Sequence, residues 1–382
     1  MALVEITHIV LYSKALQNIC DSLSFNTQKN VRSNIMATHE LEGTIQRLTV
    51  PGKGILAADE SQATIGKRFA VLHLESTVEN RRNYRELLFT TPGIEAFING
   101  VILHEETLAQ KTKEGLLFPD YLDNEGIVPG IKVDKGLIPL NAEEKITQGL
   151  DGLSERLLTY KNLGACFAKW RAVFSISNAL PSSLAIIANS QALARYASIC
   201  QSNGIVPIVE PELLIDGDHS LVRCAEATEA VLHTVFEELH KHHVVLECMI
   251  LKPSMVIAGN QYMPQPNIAE VAAATLKILR QTVPAAVPSI NFLSGGQTPE
   301  TATAHLNTMN KLQPSRHPWH LSFSYGRALQ EPALKTWNGK AHNVKAAQRA
   351  FYKRARLNAA ACKGQYQSSM ETEEKEAETN FA

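Results

Sequence analysis

The hydrophobic positions of this chain follow two rhythms. Short apolar runs, several rich in β-branched residues, fall at 54–58, 100–104, 127–133, 166–171, 205–210, 246–252, 289–294 and 320–325. Each run is short enough for a buried strand. Between most of them, apolar residues recur at three- and four-residue spacing. That spacing predicts helices over 187–203 (ending at Gly204), 220–243, 267–282 (stopped by Pro284) and 299–312. The last has Thr298 as N-cap and Pro299 at the first helical position, where a missing N–H costs nothing. A further helix is expected over 343–362, with Val344, Ala347, Ala350, Phe351 and Leu357 forming its apolar stripe. Lys345, Arg349, Lys353, Arg354 and Arg356 fill its other faces, and Gly364 stops it.

Strands alternating with helices mean a mostly parallel sheet, because each parallel return needs a crossover. Eight strands match an α/β fold of the (β/α)8 TIM-barrel class, ordinarily about 250 residues long. An open doubly wound sheet is the runner-up. The expected organisation is an N-terminal extension without fixed structure over 1–42, a catalytic barrel over 43–342, a C-terminal helix over 343–366 and an acidic flexible tail over 367–382. The extension is set apart by its Ser and Asn content. The tail is set apart by Glu371, Glu373, Glu374, Glu376 and Glu378.

Composition narrows the function. In 382 residues, 37 basic and 38 acidic side chains leave a net charge of −1, so no broad field draws the chain to nucleic acid or an anionic membrane. No apolar run approaches the roughly 20 residues that span a bilayer. Residues 1–12 are apolar but carry Glu5 and no basic flank, so no secretory signal is expected. The six cysteines form no CxxC pair and are expected as reduced, mostly buried thiols of a cytoplasmic protein.

The chemistry is expected at the carboxyl ends of the strands, where barrels of this class build their sites. There the chain places Asp59-Glu60-Ser61, Lys132, Lys169 and Arg171 around Trp170, Glu210 and Glu212 around Pro211, and Lys252 before Pro253. The last two strands end in Ser294-Gly295-Gly296 and Tyr325-Gly326-Arg327. One such charge can be a structural ion pair; so many at successive strand ends indicate a shared site. A lysine desolvated near other cations loses its proton more readily, and its neutral amine attacks a carbonyl carbon. Lys252 is the sharpest candidate for that part. The glycines before Arg327, and those after Ser294, expose backbone N–H groups of the kind that hold phosphate at helix N-termini. Three other signals fail. The GKGILA run at 52–57 precedes a strand instead of following one, so it lacks the context of a dinucleotide fingerprint. No Walker A or HExxH sequence occurs, and His240, His242 and His243 suit a helix C-terminus without any metal.

Seven segments in order resemble one family: GILAADES at 54–61, GIKVDKG at 130–136, FAKWR at 167–171, IVPIVEPE at 205–212, LKP at 251–253, FLSGGQ at 292–297 and FSYGRAL at 323–329. They are similar to class I fructose-1,6-bisphosphate aldolases, and the likeness runs densely from about residue 41 to 366. The resemblance implies a lyase without cofactor or metal, usually a homotetramer, acting on a phosphorylated ketose, with possible cytoskeletal partners. It gives the Schiff base to Lys252, proton handling during imine formation to Glu210, charge assistance to Lys169 and removal of the C4 hydroxyl proton to Asp59. Glu212 stands where the family has a second glutamate near the Schiff-base lysine. Ser294, Gly295, Gly326 and Arg327 would hold the 1-phosphate. Ser61, Lys132 and Arg171 would face the 6-phosphate end, and Thr64 stands where the family often has serine. One departure is the end of the chain, Asn380-Phe381-Ala382, where animal and plant members usually have a tyrosine that helps exchange the enamine proton; the last tyrosine here is Tyr366. The other readings are a transaldolase-like Schiff-base lyase and a catalytically impaired scaffold on the same barrel.

Overall fold

The computed structural model describes residues 39–312 and 317–372. The expected extension, apart from its last four residues, and the tail beyond 372 lie outside them. The strands are β1 (Gly54–Ala58), β2 (Ile98–Leu103), β3 (Val128–Lys132), β4 (Leu137–Pro139), β5 (Lys145–Thr147), β6 (Phe167–Phe174), β7 (Val206–Leu213), β8 (Ile250–Leu251), β9 (Ser289–Phe292) and β10 (His320–Tyr325). Eight close into a parallel barrel in the order β1-β10-β9-β8-β7-β6-β3-β2, while β4 and β5 form a small antiparallel hairpin. The (β/α)8 expectation holds and the open sheet is excluded. No described helix is long and apolar enough to cross a membrane.

Local chemistry places the helix starts. Ser182, Ser220 and Thr298 each accept a hydrogen bond from the backbone N–H three residues on, and Asn267 forms a reciprocal capping box with Glu270. The sixth predicted strand is the main departure. Of 246–252, Leu246–Cys248 is a 3-10 turn and only Ile250–Leu251 pairs in the sheet. Val245 and Glu247 face water, which a strand buried on both sides cannot allow. The Gln201 side chain takes over the backbone bonding there. Its amide donates to Val245 O at 2.8 Å and Cys248 O at 3.1 Å, and its carbonyl accepts from Val245 N.

The barrel interior has its own apolar cluster, distinct from the layer between sheet and helices. Ile55, Ala57, Ile102, Val128, Phe167, Val206, Ile208 and Ile250 fill the lower half. Leu41, Ile45 and Leu48 of the helix over 39–48 pack into the same cluster and close the floor. Leu41 is therefore structural, and the helix it belongs to extends N-terminal of the predicted boundary at 43. Two glycines make room inside. A Cβ on Gly130 would sit 2.3 Å from the Phe167 ring, and one on Gly100 would sit 2.7 Å from Leu48 Cδ2.

The C-terminal helix spans Val344–Cys362. Arg354, expected on an outer face, is buried instead. Its guanidinium holds both oxygens of Glu371 at 2.6 and 2.7 Å and donates to Pro299 O and Thr303 Oγ1. Residues Ser368–Glu371 form a 3-10 turn onto that site. The first part of the segment expected as a flexible tail is thus docked, because a buried guanidinium requires a counter-charge. Tyr366 donates to Glu371 Oε1 at 3.0 Å and lies in this contact.

Candidate active site

The lower interior turns polar in one step of the strand period. Inward positions run Ile55-Ala57-Asp59 past β1, Val128-Gly130-Lys132 on β3, Phe167-Lys169-Arg171 on β6, Ile208-Glu210-Glu212 on β7 and Ile250-Lys252 past β8. The register sets Arg171 beside Glu210, and Ile208 beside Ile250, which carries Glu210 level with Lys252. The outward residues between them remain apolar: Trp170 is fully buried and packs on Tyr196.

All thirteen predicted site residues line one cavity of about 680 Å³ at this end of the barrel. At its base four charged groups form a chain. Lys169 Nζ lies 3.1 Å from Asp59 Oδ2 and 2.6 Å from Glu210 Oε2, and Lys252 Nζ lies 3.2 Å from Glu210 Oε1. Lys169, Glu210 and Lys252 expose no more than 5% of their side chains. Burial pushes Lys252 below the ordinary lysine range, with Asp59 and Glu212 opposing and Arg171 adding to the fall. Lys169 is pushed down to about 8, by burial first and by Lys252 and Arg171 as well, against the pull of Asp59. Burial alone would raise Asp59, but Lys169, Lys252 and Lys132 outweigh it and hold the carboxyl well below its usual range. The arrangement contains, in Lys252, an amine whose hold on its proton is weakened by burial, and a carboxylate within proton-transfer reach of it.

Around this base stand the groups suited to anions. Ser294, Gly295, Gly326 and Arg327 follow β9 and β10; Lys132 and Arg171 belong to β3 and β6. In the barrel order, β9 faces β3 and β10 faces β6, so the two sets occupy opposite walls. Gly295 and Gly296 have φ of +57° and +84°, a conformation that favours glycine and turns the backbone at the cavity edge. Gly326 begins the helix Arg327–Trp337. Arg327 is exposed and makes no ion pair among the described residues, whereas Lys132 pairs with Asp134 at 2.6 Å and Arg171 with Glu212. Ser61 caps the helix Gln62–Ala70, and its Oγ lies 3.1 Å from Thr64 Oγ1.

Sequence reasoning missed a clamp behind Asp59. Glu60, at the edge of the same cavity, is held by Arg68 and Arg85, each at 2.6 Å. Gln330 donates to Glu60 Oε1 at 2.9 Å and to Ala57 O at 2.6 Å, and accepts from Tyr84 OH at 3.1 Å. The clamp ties the helix that starts at Arg327 to the end of β1 and the Asp59-Glu60 pair that follows it. Only the Asp-Glu adjacency hinted at it, since two neighbouring carboxylates at a strand end each call for a cationic partner. Arg68 and Glu60 also line the cavity, as do His104, Arg156 and Tyr160. His104 is held below its usual range by burial and by Lys132.

The family model described as fructose-bisphosphate aldolase class-I matches residues 40–382. The chain is 51% identical to a protein named fructose-bisphosphate aldolase 4, cytosolic, of Arabidopsis thaliana, over 91% of this chain and 89% of that one. It is 54% identical to the non-muscle type fructose-bisphosphate aldolase of Lethenteron camtschaticum, over 86% and 90%. Among solved structures it is similar to the fructose-bisphosphate aldolase of Plasmodium falciparum in a ternary complex with TRAP and a small-molecule inhibitor. The TM-score is 0.85 at 52% identity, covering 87% of this chain and 96% of that one.

Proposed function

Because the chain belongs to the class I fructose-bisphosphate aldolase family, we propose that its Lys252 amine forms a Schiff base with fructose 1,6-bisphosphate and cleaves it reversibly to dihydroxyacetone phosphate and glyceraldehyde 3-phosphate. The observation that carries this reading is the buried Asp59–Lys169–Glu210–Lys252 chain at the base of one cavity.

Neutral Lys252 Nζ bonds to C2, and the carbonyl π pair moves to oxygen. That oxygen takes a proton, Glu210 relays protons between it and the nitrogen, and water leaves. The iminium that results is the electron sink. Asp59 accepts the C4 hydroxyl proton as the C3–C4 bond breaks, and the bonding pair flows into the iminium to give an enamine. Asp59 has little proton affinity while it faces the Lys169 ammonium, so its step accompanies movement of the Lys169 proton toward Glu210, 2.6 Å away. Protonation at C3 and hydrolysis then free the amine. The opposed cationic walls fit a substrate with a phosphate at each end. Ser294, Gly295, Gly326 and Arg327 take the 1-phosphate; Ser61, Thr64, Lys132 and Arg171 serve the 6-phosphate end, and Glu212 holds Arg171. A cytoplasmic location and a homotetramer belong to the same proposal, and light scattering checks the second.

Borohydride trapping with fructose 1,6-bisphosphate tests the mechanism. The expected result is one adduct on Lys252, unchanged by chelators; labelling elsewhere, or none, overturns it. Arg327→Ala is expected to raise KM for phosphorylated ketoses about tenfold or more while melting near the wild-type temperature, since it removes a charged contact to phosphate.

A further inference from the structure

The loop Ser294-Gly295-Gly296-Gln297 is held from behind by a buried pair. Gln297 N donates to Ser294 O at 3.0 Å and closes the turn. Its side-chain amide donates to the same carbonyl at 3.0 Å and to Met255 Sδ at 3.6 Å. A carbonyl only accepts, so the amide nitrogen must face Ser294 and the amide oxygen must face the other way. There it meets His305 Nδ1 at 2.6 Å. The imidazole must therefore carry its proton on Nδ1. Its Nε2 is buried and finds no hydrogen-bond partner among the described residues. Protonating Nε2 would bury a donor without an acceptor, and burial pushes this histidine down to about 4. The ring is thus neutral in one tautomer at ordinary pH. His305 lies on the helix Pro299–Lys311, is 4% exposed and does not line the cavity, so it touches no substrate.

We propose that His305 is a positioning residue for the phosphate loop: through Gln297 it fixes the Ser294 carbonyl, and so directs Ser294 and the Gly295 N–H toward the phosphate of the dihydroxyacetone half. This rests on the phosphate assignment made above. It follows that the residue governs one half of the substrate and not the other. In the condensation direction the two halves are separate molecules and can be measured apart.

The experiment is steady-state condensation with His305→Leu, His305→Asn and Arg327→Ala beside the wild type, with thermal melting of each. His305→Leu keeps the volume but loses the donor. It is expected to raise KM for dihydroxyacetone phosphate about fivefold, the scale of one lost hydrogen bond. KM for glyceraldehyde 3-phosphate should not change, and kcat should stay within about twofold, since the loss falls on binding common to ground and transition states. His305→Asn, which retains an amide donor, is expected to restore most of the loss. Unchanged KM for dihydroxyacetone phosphate in His305→Leu overturns the proposal. So does a rise in both KM values with lowered melting, the mark of a structural role alone. Where His305→Leu fails to fold, His305→Met, which also lacks the donor, takes its place under the same criteria: a rise in KM for dihydroxyacetone phosphate alone supports the proposal, and no change, or a rise in both values, overturns it. Arg327→Ala separates this outcome from failure of the phosphate assignment. If Arg327→Ala raises KM for glyceraldehyde 3-phosphate alone, the assignment of ends is wrong, whatever His305 does.

Discussion

The two halves of the barrel interior are made by the same strands and differ in nearly every other respect. Below, Ile55, Ile102, Val128, Phe167, Val206, Ile208 and Ile250 pack against a helix that shuts the floor. Above, two to four residues further along, five of those strands present Asp59, Lys132, Lys169, Glu210 and Lys252. The contrast shows what a buried charge requires. Each of the three most deeply buried groups has an opposite charge within about 3.2 Å, and the lower half has none to satisfy. Stability and chemistry are thereby assigned to different ends of one scaffold, so each can be perturbed with little effect on the other.

The largest expected effect is at the top. Lys252→Met should lower kcat by about 10⁴-fold or more, as loss of a covalent nucleophile does, while the protein melts near the wild-type temperature. Unfolding of this variant would mean that the upper charges hold the barrel together. Leu48→Ala asks the converse question of the floor. It should cost about 2–5 kcal/mol in urea unfolding, the range for a leucine truncated in a packed core, with kcat of the folded enzyme unchanged. A parallel fall in kcat would show the halves to be coupled. Linkage sharpens the comparison further. The Lys169 proton leaves the folded protein near pH 8 and the unfolded chain near 10.5, so the unfolded state binds more protons between those values. Lys169 thus weighs against folding below pH 8, and that burden is relieved as pH rises toward 10.5. Relative to Lys169→Met, the wild type should gain stability across this window; denaturant midpoints of both proteins, measured from pH 7 to 10, check the sign. The smallest effect is expected from Thr64→Ser, which keeps the hydroxyl beside Ser61 and should change KM for the bisphosphate by less than about twofold.

The upper half was the more legible in sequence. Charged residues inside short apolar runs stand out, and the strand period tells which of them share a side. Asp59, Lys132, Lys169, Arg171, Glu210, Glu212 and Lys252 are legible in this way, whereas Thr64, the phosphate role of Ser61 and the 1-phosphate role of Ser294, Gly295 and Gly326 came with the family resemblance; all of them line one cavity. What stayed hidden is what bonds through side chains far apart in sequence. Gln201 replaces ladder bonds and shortens the sixth strand to two residues. Gln330, Arg68 and Arg85 gather on Glu60, and His305 stands behind Gln297. None of these breaks a hydrophobic rhythm, so no local pattern announces them. Arg354 misled for the opposite reason: its position on the helix looks exposed, and only the return of Glu371 from beyond Gly364 makes burial tolerable.

The closed floor has one more consequence. A vessel stoppered at the bottom admits and releases its contents through a single door, and here that door stands between two basic walls. On the function proposed above, a sugar with a phosphate at each end would meet those cations before it meets the Lys252 amine.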